Sequence, residues 1–238
     1  MKVLGVIPSR YASSRFPGKP LVDLKGKSMI HRVYEGACSC DRFDKVIVAT
    51  DDQRIFDHVI SFGGNVMMTD NTHKSGTDRC GEVAEKEPDF DLIVNIQGDE
   101  PLVQSSQLSD LIKAFENPEV SIATLGILDK NLEALKSENR IKLTTDTNNW
   151  ALYFSRSLIP FSKTPEQVTF TKHIGLYAFR KKTLKALINL PQSRLEQLES
   201  LEQLRWMENG YRIKIVYTTI ETPNIDVPDD VEKVIDLL

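Results

Sequence analysis

Over the first half of the chain, short apolar runs alternate with segments of helical periodicity. The runs Val3–Ile7, Lys45–Ala49, Asn65–Met68, Leu92–Ile96 and Ser121–Leu125 read as strands. Between them, Ile30, Val33, Tyr34 and Ala37 recur at i, i+3, i+4 and i+7. Ile55, Phe56, Val59 and Ile60 form a second such face, and Leu108, Leu111, Ile112 and Phe115 a third. Strand–helix alternation at this spacing predicts right-handed βαβ units and a parallel sheet covered on both faces. The fold class expected is therefore α/β, with a Rossmann-like, doubly wound, mostly parallel sheet. Ligands of such sheets bind beyond the carboxyl ends of the strands, which directs the search for chemistry.

The second half breaks the pattern. Ile141–Thr145, a turn through Asp146-Thr147-Asn148-Asn149, and Trp150–Ser155 read as an antiparallel hairpin, because Asp and Asn tolerate turn geometry. Lys172–Phe179 and Ile213–Thr218 read as further strands. Arg194–Asn209 reads as one helix stopped by Gly210, and the closing helix carries Val231, Val234, Ile235 and Leu238, capped by Asp229 and Asp230. Leu195, Leu198, Leu201, Leu204 and Met207 recur every three residues, a broad apolar face suited to core packing or a subunit interface. No linker or repeat interrupts the chain. The organisation expected is one domain over 1–238, with 137–210 inserted as a subregion.

Composition narrows the class. The 238 residues hold 30 Lys and Arg against 34 Asp and Glu, a net charge of −4, which argues against electrostatic nucleic-acid binding. A chain of this size builds a core without disulfide or metal staples. Cys38, Cys40 and Cys80 lack the paired spacing of a disulfide framework or zinc site and read as small buried thiols. The apolar run at the N-terminus is too short for a signal peptide, and no stretch approaches a membrane span of ~20 residues. A cytoplasmic protein without membrane insertion is expected.

The candidate chemistry lies at the predicted carboxyl edge. Strand one runs into Pro8-Ser9-Arg10-Tyr11-Ala12-Ser13-Ser14-Arg15-Phe16-Pro17-Gly18-Lys19-Pro20. Three cations among small residues suit phosphate, since small residues admit backbone N–H groups and the cations neutralise charge. It is neither a Walker A loop nor a dinucleotide fingerprint. A solvated basic loop is the plain alternative. The fourth strand ends in Gln97-Gly98-Asp99-Glu100, so Asp99 would face the same crevice. A carboxylate facing polyphosphate is reasonable with Mg²⁺ between them; a turn is the plain alternative. Asp51 closes strand two. Ser75-Gly76-Thr77-Asp78-Arg79 opens a helix that could bind an anion, or that Thr77 or Asp78 simply caps. On Lys172–Phe179, alternation puts His173, Gly175 and Tyr177 on one face. Asp226, between Pro223 and Pro228, is by itself an ordinary loop residue. The histidines show no metal spacing and no nucleophile signature is visible.

Together these motifs resemble the CMP-KDO synthetase (3-deoxy-manno-octulosonate cytidylyltransferase) family. The resemblance covers Pro8–Leu21, Val48–Asp51, His73–Arg79, Val94–Pro101, Tyr153–Arg156 with Ile159-Pro160, His173–Tyr177, Leu201–Arg205, and Asp226 before Pro228. These segments occur in the family's order along nearly the whole chain. The resemblance implies a fold of nucleotidyltransferase type and a cytoplasmic homodimer serving lipopolysaccharide biosynthesis. The reaction it implies is CTP plus the acidic sugar KDO giving CMP-KDO and pyrophosphate. By the same resemblance, Arg10, Arg15 and Lys19 would hold the triphosphate, while Ser13, Asp51, Gly76, Thr77, Arg79 and Gln97 would help hold the nucleotide. Asp99 and Asp226 would ligate Mg²⁺. Arg156, His173, Tyr177 and Gln203 would surround the sugar, Arg156 being the candidate for its carboxylate. Arg15 and Lys19 would stabilise the leaving pyrophosphate, so Arg15, Lys19, Asp99 and Asp226 form the expected catalytic set. In-line transfer needs alignment and charge neutralisation more than a covalent nucleophile, and a metal can lower the pKa of the attacking hydroxyl.

The chain also departs from the family pattern. Lys172 stands where the family usually has Arg, Phe161–Thr171 is short, and Ser137–Lys142 lacks the usual Asn-Pro-rich version. These departures touch the sugar, so an amino-substituted KDO or a sialic-type sugar stands as an alternative substrate. A non-catalytic nucleotide-binding regulator would keep Arg10, Arg15 and Lys19 but would not need the two carboxylates.

Overall fold

The computed structural model describes residues 1–12 and 15–238. In chain order the elements are β1 (Val3–Ser9), β2 (Asp23–Leu24), β3 (Lys27–Ser28), α1 (Met29–Cys38), β4 (Lys45–Thr50), α2 (Gln53–Ser61) and β5 (Val66–Met68). There follow α3 (Gly76–Lys86), β6 (Leu92–Asn95), α4 (Ser105–Lys113), β7 (Ile122–Asp129), α5 (Leu132–Leu135), β8 (Lys142–Thr145) and β9 (Ala151–Ser155). The chain closes with β10 (Phe170–Arg180), α6 (Lys181–Leu187), α7 (Arg194–Glu199), α8 (Glu202–Glu208), β11 (Lys214–Thr218) and α9 (Asp230–Ile235). The backbone gathers into two compact units. One holds Met1–Ser109, Arg180–Leu184 and Thr222–Leu238; the other holds Asp110–Phe179 and Lys185–Glu221.

The first unit carries the expected parallel sheet, with β1 pairing in parallel with β4 and β6, and β4 with β5. Strands β1, β4 and β6 are buried almost throughout, as a sheet covered on both faces requires, while β5 at the edge is partly exposed. Met29, Ile30, Val33 and Ala37 are the buried face of α1, and Ile55 and Val59 that of α2; Ile60 lies outside the stripe and is exposed. A separate apolar cluster joins Leu24, Met29, Ile225 and Val234, with Phe16 and Leu102 packed against it. This cluster anchors the C-terminal segment and therefore positions Asp226.

In the second unit β7 pairs in parallel with β11 and antiparallel with β10. The expected hairpin is present as β8–β9, and β8 also pairs with β10. The α/β class, the parallel sheet and the antiparallel hairpin all agree with the sequence reading.

Three local expectations are corrected. The helix over 194–209 is two helices, because Ser200 adopts a left-handed conformation (φ 52°) that stops α7, and Leu201 restarts the chain as α8. Leu198 is consequently exposed while Leu201 and Leu204 are buried. The cap of α3 is neither Thr77 nor Asp78 but Ser75, whose hydroxyl accepts from Asp78 N at 3.1 Å in a reciprocal capping box. At the start of α9 the Asp229 side chain makes no capping bond; Asp230 instead accepts from the amides of Asp226 and Val227 at 3.1 and 3.2 Å.

Candidate active site

In the first unit the cationic loop leaves the carboxyl end of β1 and encloses a pocket of about 390 Å³. Its walls include Ser9, Arg10, Arg15, Lys19, Gln97 and Asp99. The loop is pinched at its base, where Gly18 N donates to Tyr11 O at 2.9 Å. Gly18 sits at φ +73° with the Tyr11 ring so close that a Cβ would lie 3.1 Å from it, so only glycine suits this turn. Arg54 stacks on the Tyr11 ring, 3.3 Å from its centroid. Gly98 is required for a different reason: a Cβ there would meet the Pro8 carbonyl at 2.6 Å, and this close approach brings Asp99 to the pocket.

Lys19 is the centre of the charge arrangement. Its Nζ lies 2.9 Å from Asp99 Oδ2, 2.8 Å from the Ile225 carbonyl and 3.8 Å from Asp226 Oδ1. Arg15 contacts the same Asp226 Oδ1 at 3.0 Å. A backbone bond from Ile225 N to Asp99 O, at 3.0 Å, ties the two acidic segments together. Arg15, Lys19, Asp99 and Asp226 are thus one connected group. Arg10 is exposed on the pocket wall beside Gln97. Next to Asp99, Glu100 is buried; loss of hydration, and then the Asp99 charge, push its carboxyl up to about 8.

The remaining nucleotide candidates sit differently. Arg79 is 1% exposed and pairs with Asp51 at 2.8 Å, with its other arm on the Thr69 hydroxyl. These two residues hold each other, so Arg79 fixes the end of β4 from within. Gly76 opens α3 against Pro8, and Thr77 is buried in its first turn. Ser13 lies outside the described residues. The buried Ser9 Oγ and Asn95 Oδ1, at the ends of β1 and β6, have no hydrogen-bond partner among the described residues.

In the second unit the predicted sugar residues divide into two kinds. Tyr177 and Gln203 are buried, and among the described residues Tyr177 Oη and Gln203 Nε2 have no hydrogen-bond partner within 3.5 Å, the Thr124 hydroxyl being the polar neighbour of Tyr177 Oη. Burial also raises the Tyr177 phenol well above its ordinary value. Trp206, which sequence reading missed, adds a third unpartnered buried donor, Nε1, and packs edge-on to Tyr177 at 5.2 Å. Its spacing of three from Gln203 on α8 was the available signal. Unmade buried hydrogen bonds cost about 1–3 kcal/mol each, so such groups call for a polar occupant. Arg156 is already engaged: Nε donates to Glu199 O at 2.7 Å, and its two terminal nitrogens donate to Glu138 O at 2.9 Å and Ser200 O at 3.2 Å. The expected alternation of His173, Gly175 and Tyr177 is interrupted by a bulge, since the register with β7 shifts between Ile174 and Tyr177. Lys172 is buried against Glu221, which Arg140 also contacts at 3.3 Å.

Comparison with known proteins bears on this arrangement. Residues 4–215 match the cytidylyltransferase family. A 3-deoxy-manno-octulosonate cytidylyltransferase of Phocaeicola vulgatus is 51% identical over 243 residues, spanning 98% of this chain and 96% of its own. The chain belongs to the 3-deoxy-manno-octulosonate cytidylyltransferase family. A cytidylyltransferase of the same name from Bacteroides thetaiotaomicron is 51% identical over 242 residues, with 98% and 96% covered. The solved structure of a CMP:2-keto-3-deoxy-manno-octonic acid synthetase complexed with CTP aligns at TM-score 0.95 and 42% identity, covering 100% of this chain and 98% of that one. The 4-diphosphocytidyl-2C-methyl-D-erythritol synthase of Anaerococcus prevotii, at 15% identity and TM-score 0.63, shares the fold.

As a member of this family the chain is a nucleotidyltransferase enzyme. Its donor set also fits a hard cation. Two carboxylates and a carbonyl converge on one ammonium, and Mg²⁺ takes one or two carboxylates together with phosphate oxygens. Among the described residues no group of three or more His, Cys, Asp or Glu could hold a metal. A metal held by Asp99 and Asp226 would therefore be completed by the nucleotide. No helix among the described residues is long and apolar enough to cross a membrane.

Proposed function

We propose that this enzyme activates the acidic sugar KDO, converting CTP and KDO to CMP-KDO and pyrophosphate. The observation that carries the reading is the convergence of Lys19, Arg15, Asp99 and Asp226 at the carboxyl edge of a parallel sheet, in a chain whose 51%-identical relatives bear that name. The sugar hydroxyl attacks the α-phosphate; a new P–O bond forms as the bond to the β-phosphate breaks, and the hydroxyl proton is lost. Arg10, Arg15 and Lys19 hold and neutralise the triphosphate, and Arg15 and Lys19 then stabilise the departing pyrophosphate. Lys19 keeps only 13% of its side chain exposed, so its charge acts in a poorly hydrated place. Asp99 and Asp226 would hold Mg²⁺, which supplies charge neutralisation and lowers the pKa of a bound hydroxyl. Gly76, Thr77 and Gln97 border the nucleotide, and Arg79 serves it through Asp51. His173, Tyr177 and Gln203 receive the sugar. Arg156 acts at one remove, bonding the backbone carbonyls where α7 gives way to α8.

The same reading includes a cytoplasmic homodimer, with the second unit as its sugar-binding and dimerising part. Three free cysteines suit a reducing compartment, and Leu128, Leu152, Phe161 and Leu198 expose apolar surface there. The test is pyrophosphate release from a panel of nucleoside triphosphates against KDO, amino-substituted KDO, a sialic acid and a sugar-1-phosphate, with and without Mg²⁺. Release confined to CTP with KDO and Mg²⁺ is expected. Release with a sugar-1-phosphate and none with KDO rejects the reading.

A further inference from the structure

The bulge in β10 leaves the carbonyls of Ile174 and Leu176 out of the regular ladder, and the fully buried Thr124 on β7 fills the gap. Thr124 Oγ1 lies 2.7 Å from Leu176 O, 3.1 Å from Ile174 O and 3.0 Å from His173 Nε2. A hydroxyl has one proton. Carbonyl oxygens cannot donate, so that proton must go to a carbonyl; otherwise two oxygens would face each other at 2.7 Å with nothing between them. The contact to His173 is then possible only if Nε2 carries the hydrogen and donates to Thr124. The other ring nitrogen, Nδ1, is left bearing a lone pair, and among the described residues it has no hydrogen-bond partner. Phe154 and Tyr177 hold the imidazole from two sides, with ring centroids 5.2 and 5.3 Å away. Burial also pulls the His173 pKa down to about 3, so the ring is neutral at physiological pH.

We infer that Thr124 is a positioning residue that locks His173 as the Nε2–H tautomer, so that Nδ1 stands as a fixed hydrogen-bond acceptor for a hydroxyl of the sugar substrate. The sugar half of this statement rests on the function proposed above. Around it, among the described residues, Gln203 Nε2 and Trp206 Nε1 are unpartnered donors, whereas His173 adds an acceptor. A polyhydroxylated acid needs both kinds, because each hydroxyl donates one hydrogen bond and accepts others.

The experiment is nitrogen NMR on histidine-labelled enzyme, with the His173 signals assigned by their loss in His173→Asn, beside steady-state kinetics. Wild-type enzyme should show His173 with Nε2 protonated and Nδ1 unprotonated, unchanged from pH 5 to 8. Thr124→Val should mix or reverse the tautomers and raise KM for KDO roughly five- to tenfold, about the worth of one hydrogen bond, with KM for CTP within twofold. Thr124→Ser keeps the hydroxyl and should restore both. An Nδ1–H signal in the wild type overturns the inference, and that measurement requires no variant to fold. A folded Thr124→Val enzyme with wild-type tautomer, or with wild-type KM for KDO, overturns it as well. Wild-type enzyme that releases no pyrophosphate from CTP and KDO refutes the proposed reaction and with it the sugar half, which separates that failure from an incorrect tautomer.

Discussion

Lys19 shares one ammonium among Asp99, Asp226 and the Ile225 carbonyl, so each acid is already set against a cation in the protein without nucleotide. Asp99→Ala should leave the fold intact and lower kcat at least 10²-fold under saturating Mg²⁺, measured as pyrophosphate release; near-normal turnover contradicts the assignment. Two other side chains have strongly lowered pKa values that bear on acid stability. Burial alone would raise Glu82, but Lys86 at 2.6 Å, the Asp70 amide at 2.8 Å and His73 at 2.6 Å outweigh it and bring the carboxyl to about 2. His173 is lowered to about 3 by burial. Both groups bind protons less readily folded than unfolded, so both contributions are lost on acidification. That of His173 is complete above its ordinary value near 6.5 and fades toward pH 3; that of Glu82 is complete above about 4.5 and fades toward pH 2. Glu100, raised to about 8, works the opposite way between pH 8 and its ordinary value near 4.5 and offsets His173 there, so urea midpoints should fall mainly below about pH 4.5. Glu82→Gln should flatten only the part below pH 4.5, and an unchanged acid limb counts against it.

Helix and strand breaks carry the predictions at the next level. Ser200 joins α7 to α8 in a left-handed conformation that costs a residue with a Cβ about 1 kcal/mol. Ser200→Gly should raise the thermal midpoint slightly, while Ser200→Val should lower stability by about 1–3 kcal/mol and loosen the carbonyls that Arg156 holds. At the β6 end, Gly98→Ala drives a Cβ against the Pro8 carbonyl and should cost about 1–3 kcal/mol, together with a loss of activity because Asp99 moves. Denaturant midpoints with parallel kinetics check both. Neither break shows in periodicity. The leucine spacing over 195–207 is compatible with one helix or two, and the bulge in β10 depends on its partner strand rather than on its own residues.

For the molecule as a whole, ligand linkage gives the most direct measurement. A nucleotide that binds only the folded chain stabilises it by about 2.7 kcal/mol at 100 times its Kd. CTP with Mg²⁺ should raise the thermal midpoint by a few degrees, more than GTP does, and chelating the metal should remove most of the gain. Equal shifts with CTP and GTP would deny the pocket its base selectivity. The net charge of −4 opposes a polyanion overall, so under the proposed function the local cations Arg10, Arg15 and Lys19 are expected to supply the attraction.

The alternation of strand and helix was written in the order of residues because apolar periodicity is a local property. So was the carboxyl edge, where Arg10, Arg15, Lys19 and Asp99 follow directly on the strands. Spacing alone said nothing of Asp226; only the likeness of motifs singled it out, since Ile225 reaches the site by packing with Leu24 and Met29, far away in sequence. The burial of Arg79 on Asp51, the engagement of Arg156 with three carbonyls and the tautomer of His173 likewise follow from three-dimensional packing. A side chain's chemical type is inherited from its codon. Whether its hydrogen bonds are occupied or open depends on neighbours that only the folded chain brings within 3 Å.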